Sequence, residues 1–301
     1  MPDACDTTRL VADIGGSKIA VGRVETDGRI VERIEAPTPR PGTPDAVIDA
    51  LLEILRPLHL PSDATVGIAA TGRVVEGRVH AVNVGTLPGW EDVGLATTVE
   101  AATGLRCAVL NDAHAATYGE WIHGAGRGSD ASFAFVTIST GIGAGAIVDG
   151  RLLTGAHGLG AHIGFLPRHD RPDALEQRAS GRALARRASE IAGRPIDARE
   201  ALRRAQAGDP AMNELLRDVV DELAVALAQL QWIVDPERIA IGGGLGLAEG
   251  ILGSLAERVA ARLVGTPGVA SGIAPELVRA QLGADAGLVG VAAWMEASDG
   301  P

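Results

Sequence analysis

The chemistry in this 301-residue chain starts at Leu110-Asn111-Asp112, where an apolar run, Arg106 to Leu110, ends on a carboxylate. The ends of strands are where an α/β sheet delivers its functional side chains. A carboxylate there can take the proton of an alcohol while that alcohol attacks a phosphoryl group. It can equally cap a helix, since the helix formers Ala113-His114-Ala115-Ala116 follow. Two glycine-rich turns offer the complementary chemistry. Asp13-Ile14-Gly15-Gly16-Ser17-Lys18 follows the strand-like Leu10-Val11-Ala12, and Ser139-Thr140-Gly141-Ile142-Gly143-Ala144-Gly145 follows Phe133 to Val136. Such turns present several backbone N–H groups on one side and hold phosphate oxygens without bulk positive charge. Asp13 is placed to organise the water around Mg²⁺. His162 and Glu176, downstream of the second turn, could orient sugar hydroxyls; singly, each also reads as a structural histidine and a helix-start acid.

The elements that must position these residues repeat. Each glycine turn lies between two β-branched strands, and each second strand runs into an Asp-Gly turn, at Asp27-Gly28 and Asp149-Gly150. That separation far exceeds solenoid periods and predicts a domain duplicated once. Neither turn is a Walker loop, because no Gly-x-x-x-x-Gly-Lys-Ser/Thr occurs. Neither is a dinucleotide fingerprint, because both open strands rather than helices. A third glycine run, Gly242-Gly243-Gly244, follows Ile239-Ala240-Ile241. Helical spacing is predicted over 46–55, 93–102, 181–191, 198–207, 211–233, 247–263 and 286–295, the last able to return to the first domain. Strands are expected at 65–69 and 106–110. Alternating strands and helices predict an α/β architecture with a largely parallel sheet.

Composition bounds the partners. Lysine and arginine total 27 against 38 acidic residues, a net charge of −11, so the global field repels polyanions. Aromatics at 3% leave few platforms for unpaired bases, and nucleic acid is not an expected partner. With 46% hydrophobic and 22% charged residues the chain reads as a soluble globular protein, with no membrane partner. Two cysteines, Cys5 and Cys107, are too few for a disulfide framework and are read as reduced thiols. The N-terminus shows no secretion pattern, which makes the cytoplasm the expected location.

At this point the residues resemble a known family, the ROK sugar kinases of the actin-like ATPase superfamily, over nearly the whole chain. The resemblance runs through the Asp13–Lys18 turn, Leu87-Pro88-Gly89-Trp90 in a sugar-side loop, Leu110-Asn111-Asp112-Ala113, the Ser139–Gly145 turn and Ile241-Gly242-Gly243-Gly244 near the adenosine. It implies a duplicated actin-like/RNase H-like ATPase fold with two domains around a central cleft: residues 1–112 with the helix 285–301, and residues 113–284. Asp112 would be the catalytic base. Gly72, Arg73, Asn111, Asp112, His162 and Glu176 would line the sugar pocket. Asp13, Gly15, Gly16, Ser17, Lys18, Thr140, Gly141, Gly143, Gly243 and Gly244 would bind ATP, with Asp13 serving Mg²⁺ through the nucleotide. The resemblance also implies a homodimer. Within the family, Leu152 to Gly164 is most similar to N-acetylmannosamine kinases, including histidine at 162 where most relatives carry glutamate.

One departure stands out. The family usually builds a zinc site from a histidine and three cysteines just before the glutamate matched by Glu176. Here Phe165 takes the histidine position and Leu166 to Leu175 contains no cysteine, while His162 and His169 are too few ligands. No structural zinc is expected, and packing around Phe165 is the expected support for His162 and Glu176. The expected activity is therefore ATP-dependent phosphorylation of the 6-hydroxyl of N-acetylmannosamine. A glucokinase or N-acetylglucosamine kinase of the same family is the alternative, and a non-catalytic sugar-sensing regulator the more distant one. The regulators' added helix-turn-helix has no room before Asp13.

Overall fold

The computed structural model describes residues 8–58, 64–82, 88–129, 132–168, 171–264 and 274–299. In chain order the first half contains β1 (Thr8–Ile14), β2 (Lys18–Glu25), β3 (Ile30–Pro37), α1 (Pro44–Leu55), β4 (Thr65–Ala70), β5 (Arg73–Val75), β6 (Arg78–His80), α2 (Leu95–Thr103), β7 (Arg106–Asn111) and α3 (Asp112–His123). Then come β8 (Ser132–Ile138), β9 (Ile142–Val148), β10 (Arg151–Leu152), β11 (Pro167–Arg168), β12 (Arg171–Ala174), α4 (Leu175–Ala179) and α5 (Gly181–Ala192). The chain ends with α6 (Ala198–Gln206), α7 (Pro210–Val234), β13 (Arg238–Gly242), α8 (Ile251–Val264), β14 (Glu276–Arg279) and α9 (Ala286–Asp299).

The duplication is written in the two main sheets. One has the order β3-β2-β1-β4-β7, the other β10-β9-β8-β13-β14. In each, a hairpin of antiparallel strands leads, its first strand pairs in parallel with a third, and that one pairs in parallel with a fourth: β1 with β4 and β4 with β7, β8 with β13 and β13 with β14. Both Asp-Gly turns close hairpins; Asp149 and Gly150 both adopt positive φ, as a two-residue turn between right-twisted strands requires. The sheets are thus mixed rather than largely parallel.

The chain divides into two compact units: residues 1–127 with 154–160 and 284–301, and residues 128–153 with 161–283. In the first unit the central strands β1 and β4 are buried on both faces. Leu10, Ala12 and Ile14 of β1 join one apolar cluster with Val47 and Leu51 of α1 and Leu95 and Val99 of α2. Period-two alternation turns Val11 and Asp13 to the other face, where α9 packs. In the second unit α5, α6, α7 and α8 build a cluster against β8, β9 and β13.

Two boundaries differ from the sequence expectation. The domain boundary expected at 112/113 would separate α3 from β7, but α3 stays with the first unit because it packs against α9 backbone to backbone. A Cβ on Gly290 would lie 1.7 Å from the Ala115 carbonyl oxygen, and one on Gly119 would lie 2.8 Å from that of Ala286. The helix expected from 247 starts only at Ile251, because Leu245 and Gly246 donate to the Ile138 carbonyl at the end of β8 and Gly250 sits at φ +79°.

Gly290→Ala is expected to lower unfolding stability by at least the ~1–3 kcal/mol of ordinary overpacking. Gly253→Ala, on α8 with nothing within 4 Å of the added carbon, should instead raise it by about 0.5–1 kcal/mol. Denaturant titration of the two variants checks the pair.

Candidate active site

Parallel pairing brings three strand ends into register in the first unit. Asp13 of β1 sits opposite Ala69 of β4, and Ala70 opposite Asn111 of β7. Asp13, Thr71-Gly72 and Asn111-Asp112 therefore emerge side by side. Asn111 is the N-cap of α3: its Oδ1 accepts from His114 N at 3.0 Å. Its Nδ2 donates to Gly72 O at 2.7 Å and to Asp112 Oδ1 at 3.0 Å. The expected sugar ligand Asn111 thus has its amide engaged in joining two strand ends and presenting Asp112. That leaves Asp112 as the first helical residue rather than the cap.

Electrostatics sets these two acids apart. Burial pushes the Asp112 carboxyl up to about 6, against hydrogen bonds from the Ala113 N–H, Thr71 and Asn111 that favour the charged form. Asp13 is pushed further, to about 7, first by burial and next by the like charge of Asp112; Lys18 and Arg33 pull it back. Gly287 at the start of α9 lies against Asp13, where a Cβ would come within 2.6 Å of Oδ2. The cations are shared out: Lys18 Nζ bonds Glu35 Oε1 at 2.5 Å, and Arg33 pairs with Glu35 at 2.6 Å and Asp285 at 3.1 Å.

The two glycine turns are built alike. In Gly15-Gly16-Ser17, Thr38 Oγ1 donates to Gly15 O at 2.7 Å and Thr38 N donates to Ser17 O at 3.1 Å. In Ser139-Thr140-Gly141, Gly181 N donates to Ser139 O, Arg182 N to Thr140 O and Ser139 N to Gly141 O. Carbonyls are engaged from behind. Among the described residues nothing accepts from the amides of Gly16, Ser17, Thr140 or Gly141. Ser17 and Thr140 are exposed, so each turn leaves a pair of backbone N–H groups available to an anion.

In the second unit the other expected residues converge on Ile142. Its N–H donates to Glu176 Oε2 at 2.9 Å, and its carbonyl lies where a Cβ on Gly164 would be 2.3 Å away. A Cβ on Gly141 would stand 2.5 Å from Glu176 Oε2, so a side chain there would have to displace that carboxylate. Gly143 follows within β9. Gly243, at φ +80°, backs onto Ile138 at the foot of the same turn, and Gly244 follows it with open space around it.

Some expected residues have other roles. The ring of His162 faces that of Phe165 at 5.7 Å, but Phe165 is 38% exposed. Glu176 is instead held by the Ile142 amide, which corrects the expectation that packing around Phe165 supports both. Arg73 heads the β5–β6 hairpin opposite His80. Trp90 is a core residue, 1% exposed with Nε1 donating to Gly42 O, while Leu87 lies outside the described residues, as do Cys5 and His169. Cys107 is a free thiol that burial pushes up to about 12.

Metal fit can be tested on donors. Asp13 is a hard carboxylate in a position where neighbouring acids disfavour its bare negative charge, which suits Mg²⁺ with its retained waters. For zinc the donor set fails: 166–175 has no thiolate, and no group of three or more His, Cys, Asp or Glu among the described residues could hold a metal.

Residues 9–298 match the model of the ROK family. The chain belongs to the ROK family. It is 39% identical to the N-acetylmannosamine kinase of Citrobacter koseri over 252 residues, 81% of this chain and 85% of that enzyme. Its fold is similar to the crystal structure of the ROK hexokinase from Thermus thermophilus, with a TM-score of 0.80 and 33% identity over 97% of this chain and all of the other. It is also similar to a ROK glucokinase from Streptomyces griseus in complex with glucose and AMPPNP, with a TM-score of 0.78 and 29% identity over 95% and 98% of the two chains. The duplicated α/β fold of the ROK chain is that of these sugar kinases. The sequence motifs pointed to each turn, but not to Thr38 or the start of α5, which bond the turn carbonyls; only the folded backbone brings them there.

The raised carboxyls make a signed prediction for the ROK chain. A folded-state pKa above the unfolded value means that the native state holds protons the unfolded chain releases, so stability falls as pH rises through the carboxylate range toward about 6 for Asp112. Asp112→Asn is expected to raise the melting temperature at pH 8, with the gain shrinking by pH 4, as calorimetry at the two pH values will show.

Proposed function

We propose that the chain is an ATP-dependent sugar kinase acting on the 6-hydroxyl of an N-acetylhexosamine, with N-acetylmannosamine as the preferred substrate. The observation that carries this reading is the repeated turn with two available amides, one in each duplicated unit, together with a buried acid at a strand end. The kinases named above, one of them an N-acetylmannosamine kinase at 39% identity, support it.

In this reading Asp112 accepts the proton as the sugar oxygen forms its bond to the γ-phosphorus and the bond from that phosphorus to the ADP oxygen breaks. A carboxyl tuned to about 6 is mostly ionised at neutral pH yet more basic than an ordinary aspartate, which suits a general base. The amides of Gly16, Ser17, Thr140 and Gly141 are donors for phosphate oxygens, in place of the cationic side chains that Glu35 occupies. Asp13 is the residue that would hold Mg²⁺, which when bound neutralises charge on the phosphates. His162, Glu176 and Arg73 are the sugar-side candidates, and Gly243 and Gly244 offer a close backbone approach for the nucleoside. A homodimer and a cytoplasmic location complete the reading; among the described residues no helix is long and apolar enough to cross a membrane.

Coupled ADP release with N-acetylmannosamine, N-acetylglucosamine, glucose and fructose is expected to rank the first highest in kcat/KM; glucose ranking first moves the assignment to glucokinase. Asp112→Asn should lower kcat by the ~10²–10⁴-fold typical of a lost general base. Sugar binding, measured by calorimetry, should persist in that variant. Wild-type kcat/KM should fall as pH drops below about 6, where Asp112 is protonated.

A further inference from the structure

Between the 3₁₀ turn at Ile163–Phe165, which follows His162, and α4, which carries Glu176, the chain makes the short hairpin β11–β12. β11 has two residues and the pairing with β12 shifts register within it. A ladder this short has little stability of its own. Leu166 and Leu175 at its base pack on the apolar cluster of the second unit, but two recesses of about 420 and 430 Å³ beside it are both lined by the charged residues Arg168, Arg178, Asp221 and Glu222.

What ties the hairpin down is Arg178. Its side chain is 7% exposed, although it belongs to a five-residue helix at the edge of these recesses. Nε donates to Glu222 Oε2 on α7 at 3.1 Å, Nη1 donates to the Asp173 carbonyl, and Nη2 reaches the Leu166 carbonyl at 3.5 Å. One guanidinium therefore clasps the outgoing end of the hairpin and the residue before its incoming strand, and anchors both to the long helix of the core. The other oxygen of Glu222 accepts from Arg168 on β11 at 2.5 Å. Two residues before Arg178, Glu176 bonds the Ile142 amide; four residues before Leu166 stands His162.

We propose that the buried Arg178–Glu222 pair is the positioning element that sets Glu176 against the Ile142 amide and fixes the spacing of Glu176 from His162. This supplies by ion pairing the cross-link for which the segment has no thiolate donors. The pair touches neither substrate nor reacting atoms and acts through Glu176. It rests on the proposed function only for its effect on the sugar; its effect on the Ile142 amide does not.

Glu222→Gln keeps the shape and an acceptor but leaves the Arg178 charge without its anionic partner, and Arg178→Lys keeps the charge although its single ammonium cannot span the three acceptors. Arg187→Gln, which breaks the exposed pair to Asp218 beside the same recess, is the control. Two measurements decide. Hydrogen exchange should show faster exchange at Ile142 and across 166–176 in Glu222→Gln, with the β1–β4 amides unchanged. Steady-state kinetics should show KM for the sugar raised about tenfold or more, toward the roughly hundredfold that an ångström of misplacement costs, with KM for ATP within about twofold. Arg178→Lys should fall between Glu222→Gln and wild type, and the control should match wild type. Unchanged exchange at Ile142, or KM for both substrates rising together with a general loss of protection, overturns the proposal. A wild-type protein that phosphorylates no sugar overturns the kinase reading instead, and leaves the exchange result to judge the pair.

Discussion

Everything at this site depends on how a hairpin turn distributes its backbone polar groups. A turn that leaves both amides and carbonyls facing solvent has no preference for an anion. Here the carbonyls are engaged from behind, by Thr38 in one unit and by the first residues of α5 in the other, so the groups left available are N–H groups. The resulting local field is positive although the protein as a whole carries −11. In the proposed reading, this lets an acidic chain receive phosphate without a lysine or arginine cluster while Lys18 remains paired with Glu35.

The carboxylates are governed by the opposite economy. Parallel register places Asp13 and Asp112 at strand ends on either side of β4, where the dry surroundings disfavour ionisation of both and the charge of Asp112 further disfavours that of Asp13. Asn111 holds this arrangement by capping α3 and bonding Gly72, while Gly287 lets α9 come close to Asp13. The fold thereby sustains an unfavourable charge arrangement, the ordinary condition of a group tuned for proton transfer. Stability and activity are expected to pull in opposite directions at position 112 for that reason.

In the second unit Ile142 is the junction. It ends the phosphate turn, bonds Glu176 and lies against Gly164, so the parts that would face sugar and the parts that would face phosphate share one residue's backbone. The hairpin feeding Glu176 into that junction has a very short ladder and is tied to α7 by Arg178 and Glu222. Small positional errors there would reach the sugar side first, because the turn itself is independently held by α5.

The sequence by itself determined the elements and their duplication, since strand alternation, helical spacing and Asp-Gly turns act through neighbours a few residues apart. The glycine turns, Asp13 and Asp112 were legible because their types and flanking strands are local signals. Tertiary structure alone decided that α3 stays with the first unit, that Asn111 rather than Asp112 caps it, that Phe165 leaves Glu176 to Ile142, and that Arg178 joins Leu166, Asp173 and Glu222. Each of these depends on contacts between residues distant along the chain, such as Gly119 with Gly290 or Arg178 with Glu222. No pattern of neighbouring residue types encodes which distant backbone will come close enough to forbid a side chain or to fill a hydrogen bond.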